Sequence, residues 1–307
     1  MIVSRAFAQV NVFSDQAFLG NPLAVVLDGT GLSDTAMQRF ACWTNLSETT
    51  FLSPPTPEAA ARGADYRVRI FTPGGELPFA GHPTLGSCHA WLEHGGVPRQ
   101  AKTIVQECAY GLVRVVREGD SLAFAAPALQ RSDIDAATLA PLLDALGLHA
   151  TQVHAAQKLD NGPVWWGLLL GDVDTVLSLE PDHQALKNLD QKVGVAAIES
   201  AQATSNLIAR SNREARAFGD RALQPLPMLE VRAFAAAMGV NEDPVTGSLN
   251  ASLAQWLIAD GHLSTHYTAH QGTCLGRQGR IDLQQDSDGQ VWVGGHSTTH
   301  IRGNVTL

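Results

Sequence analysis

Cysteine is scarce in this 307-residue chain: Cys42, Cys88, Cys108 and Cys274 are the four, with no CxxC or other paired spacing. A disulfide framework is thereby excluded, and reduced thiols in a cytoplasmic protein are expected. Long apolar runs are missing too. The stretch Val164-Trp165-Trp166-Gly167-Leu168-Leu169-Leu170 is far too short to span a bilayer, and residues 2–13 have no signal-peptide core. Basic residues are few. With 21 Lys+Arg against 30 Asp+Glu the net charge is −9, which argues against nucleic acid and against anionic membrane surfaces as partners. An anionic substrate must then be held by local donors and not by the overall field. There is no GxGxxG after a strand, no phosphate-loop lysine and no GxSxG elbow. His262, His266 and His270, like His296 and His300, recur every four residues, but in loop and strand surroundings and without a carboxylate in a zinc pattern. No metal and no cofactor are expected.

What is present is a globular composition, 45% apolar and 17% charged, and length enough for two domains with a core each. A repeat organises it. Phe79-Ala80-Gly81-His82-Pro83-Thr84-Leu85-Gly86-Ser87 returns as Glu242-Asp243-Pro244-Val245-Thr246-Gly247-Ser248, with His82-Pro83 falling on Asp243-Pro244 and Gly86-Ser87 on Gly247-Ser248. Upstream, Arg69-Ile70-Phe71 matches Arg232-Ala233-Phe234, and both motifs run into an Ala/Leu/Trp-rich helical pattern.

Alternation and turn signals predict strands near 2–13, 23–27, 48–52, 65–72, 101–107, 110–117 and 121–125, with helices over 34–45 and 84–94. Residues 54–61 read as loop. Beyond a linker at 125–133, helices are predicted near 134–147, 182–191 and 246–260. Strands are predicted near 151–157, 164–170, 193–198, 204–210, 231–235, 265–275, 279–284, 290–295 and 298–306. Strands outnumber helices without regular alternation, so the fold class is α+β. Two pseudo-symmetric lobes are expected, each a mainly antiparallel sheet around a central helix. Their bounds are 1–128 and 129–307, with a return of the last strand to the first lobe left open.

The motifs suit one site between two helix N-termini. Pro83 and Pro244 stand where helices should begin, and the amides after them (Thr84, Leu85, Gly86; Val245, Thr246, Gly247) would be free donors at the positive dipole ends. Gly81, Gly86 and Gly247 allow close approach to the main chain. Capped helices with packing glycines would look the same in either motif alone. His82 and Asp243 take equivalent places in the two halves: an imidazole to move a proton, a carboxylate to orient it. Ser248 offers a hydroxyl and an N–H to an anion, or simply caps. Glu48, where a helix ends and an apolar strand begins, is either a general acid/base or a solvated strand-end carboxylate.

The chain resembles the PhzF family of phenazine-biosynthesis-like proteins over essentially its whole length. The resemblance is carried by Phe18-Leu19-Gly20-Asn21-Pro22-Leu23-Ala24-Val25-Val26, Asn45-Leu46-Ser47-Glu48-Thr49-Thr50-Phe51, Arg69-Ile70-Phe71-Thr72-Pro73, the two repeated motifs, and Gln271-Gly272 with Gly276-Arg277. It implies the diaminopimelate epimerase fold with a site in the cleft between the lobes, and a homodimer. The motif positions carry no cysteine pair, which disfavours two-cysteine epimerase chemistry. The family's acid/base glutamate falls on Glu48, and its other site residues on Gly81, His82, Asp243 and Ser248. The implied activity is a cofactor-independent isomerase of the trans-2,3-dihydro-3-hydroxyanthranilate type. Glu48 would move the proton, with His82 and Asp243 assisting as catalytic residues. Gly81, Gly247 and Ser248 would hold the carboxylate of a small-molecule substrate. An epimerase or racemase of a small amino acid, or a non-catalytic binding protein on the same scaffold, are the alternatives. Leu249-Asn250 after Ser248, and Ala235-Ala236-Ala237 where a proline is usual after Phe234, are departures expected to alter the pocket.

Overall fold

The computed structural model describes residues 3–119, 121–199 and 229–307, so the strand expected at 204–210 lies outside the described residues. The strands join edge to edge through two lobes. In the first lobe Ser4–Val12 pairs antiparallel with Asn21–Val26, which runs parallel to Glu48–Ser53. Glu48–Ser53 is antiparallel to Tyr66–Thr72, itself parallel to Thr103–Cys108. Two antiparallel steps then lead through Gly111–Glu118 to Ser121–Ala125. The second lobe repeats the series with Val153–Asp160, Val164–Leu170, Val193–Ile198, Leu229–Ala235, His266–Gln271, Gly279–Gln285 and Val291–Gly295. Their pairings are again antiparallel, parallel, antiparallel, parallel, antiparallel, antiparallel. Ser121–Ala125 pairs with Val291–Gly295 and joins the lobes, and Ser297–Thr306 pairs with Ser4–Val12.

The upstream repeat is structural. Phe71 stands opposite Thr49 and Phe234 opposite Val193. Arg69 grips Glu76 through two bonds of 2.8 and 2.6 Å, and Arg232 grips Glu242 at 3.0 and 2.8 Å. The two guanidinium carbons lie 5.1 and 5.0 Å from the ring centroids of Phe71 and Phe234.

Each lobe has one central helix, Gly81–Glu93 in the first and Gly247–Ala259 in the second. Both sequences lack a polar face, and a helix that is apolar nearly all round belongs inside. Leu85, Cys88, Leu249, Leu253 and Trp256 pack into one core with Val10, Leu23 and Phe124. Two of the polar residues on the first helix find partners inside. Thr84 donates to the Ala80 carbonyl at 2.9 Å, and Ser87 to Thr50 at 2.9 Å. Outer helices cover the far faces: Asp34–Thr44 packs on Phe51 and Phe71, and Ala136–Leu146 on Leu168, Val195 and Phe234.

Two short helices depart from expectation. Pro57–Ala61 forms where a loop was expected, and Val173–Ser178 where nothing was. At five and six residues neither is long enough to display a helical period, though Thr56 before Pro57 is a start signal and its hydroxyl caps Ala59.

Candidate active site

The central helices meet at their N-termini. A Cβ added at Gly247 would stand 2.9 Å from the Gly81 Cα and 3.0 Å from the His82 nitrogen; one added at Gly81 would stand 3.0 Å from the Gly247 Cα. Glycine is required at both places because backbone meets backbone. The helices start at Gly81 and Gly247, which moves the free amides from where the sequence places them. The Thr84 N–H is already spent on the Ala80 carbonyl, and the Thr246 N–H on Gln271. Among the described residues the unpaired donors are instead Gly81, His82, Gly247, Ser248 and Leu249. Pro83 is the third helical residue, and Pro244 lies before its helix altogether. His82 and Asp243 are therefore not equivalent. His82 answers to Ser248, five residues further on, because each follows the opening glycine.

Neither helix has a side-chain cap. Ala80 has nothing to offer, and the Thr246 hydroxyl is turned away to donate to Asp243 Oδ2 at 2.6 Å. Two positive dipole ends with open N–H groups face one space, an arrangement that favours an anion.

Glu48, at the head of its strand, lines the adjoining cavity of about 70 Å³. One of its oxygens, Oε2, lies 2.8 Å from His82 Nδ1, and the other has no protein partner among the described residues. His82 itself is buried, 2% exposed, and its Nε2 is sealed without a partner among the described residues. A proton can pass along the Glu48–His82 bond, and Glu48 lines the cavity while His82 is not part of its wall.

Asp243 lines the cavity beside Glu48. Its Oδ1 accepts from Asn21 Nδ2 and Ser47 Oγ, each at 3.0 Å. Burial, reinforced by the Glu48 charge, pushes its carboxyl up to about 6, against the opposing pull of Thr246, His82 and Ser47. Asp243 can thus hold or release a proton near neutral pH. Gln271 pins the turn, donating to the Asp243 carbonyl and to the Thr246 hydroxyl at 2.9 Å each. Ser248 also lines the cavity, its hydroxyl accepting from Trp165 Nε1 at 3.2 Å. Gly81 and Gly247 lie at the helix contact just behind the wall.

Sequence reading overlooks Asn21, Trp165 and Lys192. Asn21 passes for a turn residue of Gly20-Asn21-Pro22, although a fully buried asparagine at the head of an apolar strand is a signal for a polar task. Trp165 and Lys192 carry no local motif, yet both line the cavity, along with Phe79, Leu77 and Met238. The departures sort themselves out. Leu249 is buried against Gly194, and Asn250 bonds the Thr246 carbonyl and Gln271, so neither shapes the pocket. Ala235 does line it.

The remaining candidates go elsewhere. His270 Nδ1 bonds Glu230 at 2.9 Å, and Cys88 is buried, its thiol pushed up to about 12 by desolvation. Among the described residues no group of three or more His, Cys, Asp or Glu is arranged to hold a metal ion, and no helix is long and apolar enough to cross a membrane.

Comparison with known proteins agrees with this geometry. The family model described as phenazine biosynthesis-like protein matches residues 10–303. "Antisense-enhancing sequence 1" of Schizosaccharomyces pombe is 35% identical, with 98% of this chain and 99% of that protein covered. The trans-2,3-dihydro-3-hydroxyanthranilate isomerase of Pseudomonas fluorescens is 30% identical, with 97% and 98% covered. Among solved structures, the Bacillus anthracis phenazine biosynthesis protein of the PhzF family superposes with a TM-score of 0.79 at 19% identity, over 99% of this chain and 100% of that one. Motifs, lobes and helix mouths together place the chain in the PhzF family, on the diaminopimelate epimerase-like fold.

Proposed function

We propose that this cleft catalyses a cofactor-independent proton shift within a small unsaturated or cyclic amino or hydroxy acid, with Glu48 as the acid/base. The observation that carries this reading is the pairing of two uncapped helix mouths with a carboxylate that keeps one oxygen free. The substrate carboxylate docks on the amides of Gly81, His82, Gly247 and Ser248, where the dipole ends offset its charge. That leaves a neighbouring carbon beside Glu48. The free oxygen takes the proton and returns it to a second carbon on the same face, so a single group serves both steps. His82 orients Glu48 and shares its proton. Asp243, titrating near 6, handles a substrate hydroxyl or amine. The isomerase relatives support the reaction class, and the trans-2,3-dihydro-3-hydroxyanthranilate enzymes among them supply the first substrate to try.

The test is turnover of trans-2,3-dihydro-3-hydroxyanthranilate in deuterated buffer, followed by ultraviolet absorbance and proton NMR, with wild type and Glu48→Gln. Turnover by wild type, falling at least about a hundredfold in the variant, is the expected result. Full activity in Glu48→Gln would remove Glu48 as the base. No turnover by folded wild type would move the substrate to another small carboxylate.

A further inference from the structure

Register across the lobes identifies the counterpart of Glu48. Thr49 faces Phe71 and Val193 faces Phe234, and the two phenylalanines correspond through the arginine repeat. Val193 therefore answers to Thr49, and the residue before it, Lys192, answers to Glu48. The pseudo-symmetry sets an ammonium where the other lobe has its carboxylate, and both side chains line the same cavity.

Lys192 is held without being neutralised. Its Nζ lies 5.2 Å from the centroid of the Trp165 ring, close enough for a cation–π contact. Among the described residues it has no hydrogen bond and no carboxylate within 4.0 Å. Burial draws it down to about 8, opposed only by the more distant charges of Glu48 and Asp160. The same indole that carries the ammonium on its face donates from its edge to Ser248. The helix mouth and the lysine are thus two positive features separated by one ring, with an apolar wall of Phe79, Leu77 and Met238 beside them.

We propose that Lys192 is an anion-binding residue, and that the cleft selects small substrates with two acidic groups, one at the helix mouths and the other at Lys192. This rests on the reading of the cleft as the substrate site. A desolvated ammonium with no counter-ion among the described residues gains from a carboxylate that supplies one, through a charge-assisted bond. A substrate amine at the same place would meet like charge. The lysine therefore disfavours aminated ligands in that orientation and favours dicarboxylates.

Calorimetric binding at pH 7 tests this without requiring turnover, so its result is separate from the isomerase assay. The probes are glutarate and succinate against butyrate. Wild type should prefer the better dicarboxylate by about tenfold or more. Lys192→Arg should keep the preference, whereas Lys192→Met should erase it and leave butyrate affinity unchanged. Equal affinities in wild type, no binding of either dicarboxylate, or an undiminished preference in Lys192→Met would each overturn the proposal. If Lys192→Met melts early or fails to fold, Lys192→Gln takes its place in the same comparison.

Discussion

The outer helices and the two central ones begin in opposite ways. Ser33, Thr56, Asp135, Asp172 and Asp182 each accept a first-turn amide with their own side chains. Ala80 and Thr246 do not. Five capped helices show that capping residues are readily used in this chain, so the bare mouths are particular to the cleft. A cap is worth about 1 kcal/mol, which two helices here forgo. The donors so released are the ones a ligand can take, and they lie where the lobes touch. Stability has been left aside in the one region where an unsatisfied N–H has a use.

The sharpest way to break this contrast is Gly247→Ala. Its Cβ would press on backbone atoms of the opposite helix, which cannot swing aside as a side-chain tip can. We expect a loss of about 3 kcal/mol in chemical denaturation, together with loss of carboxylate binding. A variant as stable as wild type would show that the mouths are not in contact.

Asp243→Asn comes next, with a pH signature. The folded carboxyl titrates near 6, against an ordinary value of 3.8. Folding therefore takes up a proton between those values, and stability falls as pH rises through that window. The asparagine lacks this loss. The stability difference, variant minus wild type, should rise from pH 4 to about 6.5 and then level, by up to about 3 kcal/mol in chemical denaturation; a flat difference would deny the raised carboxyl.

The smallest effects sharpen the contrast directly. Ser33→Ala, which strips an outer cap, should cost about 1 kcal/mol and leave ligand affinity alone. Ala80→Ser should do the reverse, adding about 0.5 kcal/mol while weakening carboxylate binding, since its hydroxyl would occupy the His82 N–H. If Ala80→Ser binds as tightly as wild type in titration calorimetry, that amide does not serve the ligand.

Much of this architecture is readable from residue order, and the limits have physical reasons. Alternation locates the strands because half-buried strands repeat every two residues, and the arginine repeat marks true equivalence because Arg69 and Arg232 each grip a glutamate and lie over a phenylalanine. The helix-mouth repeat misleads by five residues: Pro and Gly-Ser recur in both motifs for different purposes. Pro83 sits in a first turn and Pro244 in the preceding turn, so matching residue types is not matching position. Glu48, His82, Asp243 and Ser248 are candidates because local motifs contain them, and the structure brings them to one cleft. Asn21 reaches Asp243 across 222 residues of sequence, and Lys192 becomes visible only when strand register maps one lobe onto the other. Such partners are properties of pairing, which no local window contains.

The pairing of Ser297–Thr306 with Ser4–Val12 bears on how the protein is made. The first strand leaves the ribosome early and finds Asn21–Val26 at once, but its other edge waits for a partner about 290 residues later, roughly 15–60 s at ordinary synthesis rates. Throughout that interval the nascent first lobe presents an unpaired strand edge, the kind of surface that recruits neighbouring chains. The outermost ladder of the finished molecule is in this sense a seal applied last. Slowing translation, or crowding ribosomes on one message, would tax this protein through its opening strand, whose last residue, Val12, pairs with Asn21 at the cleft.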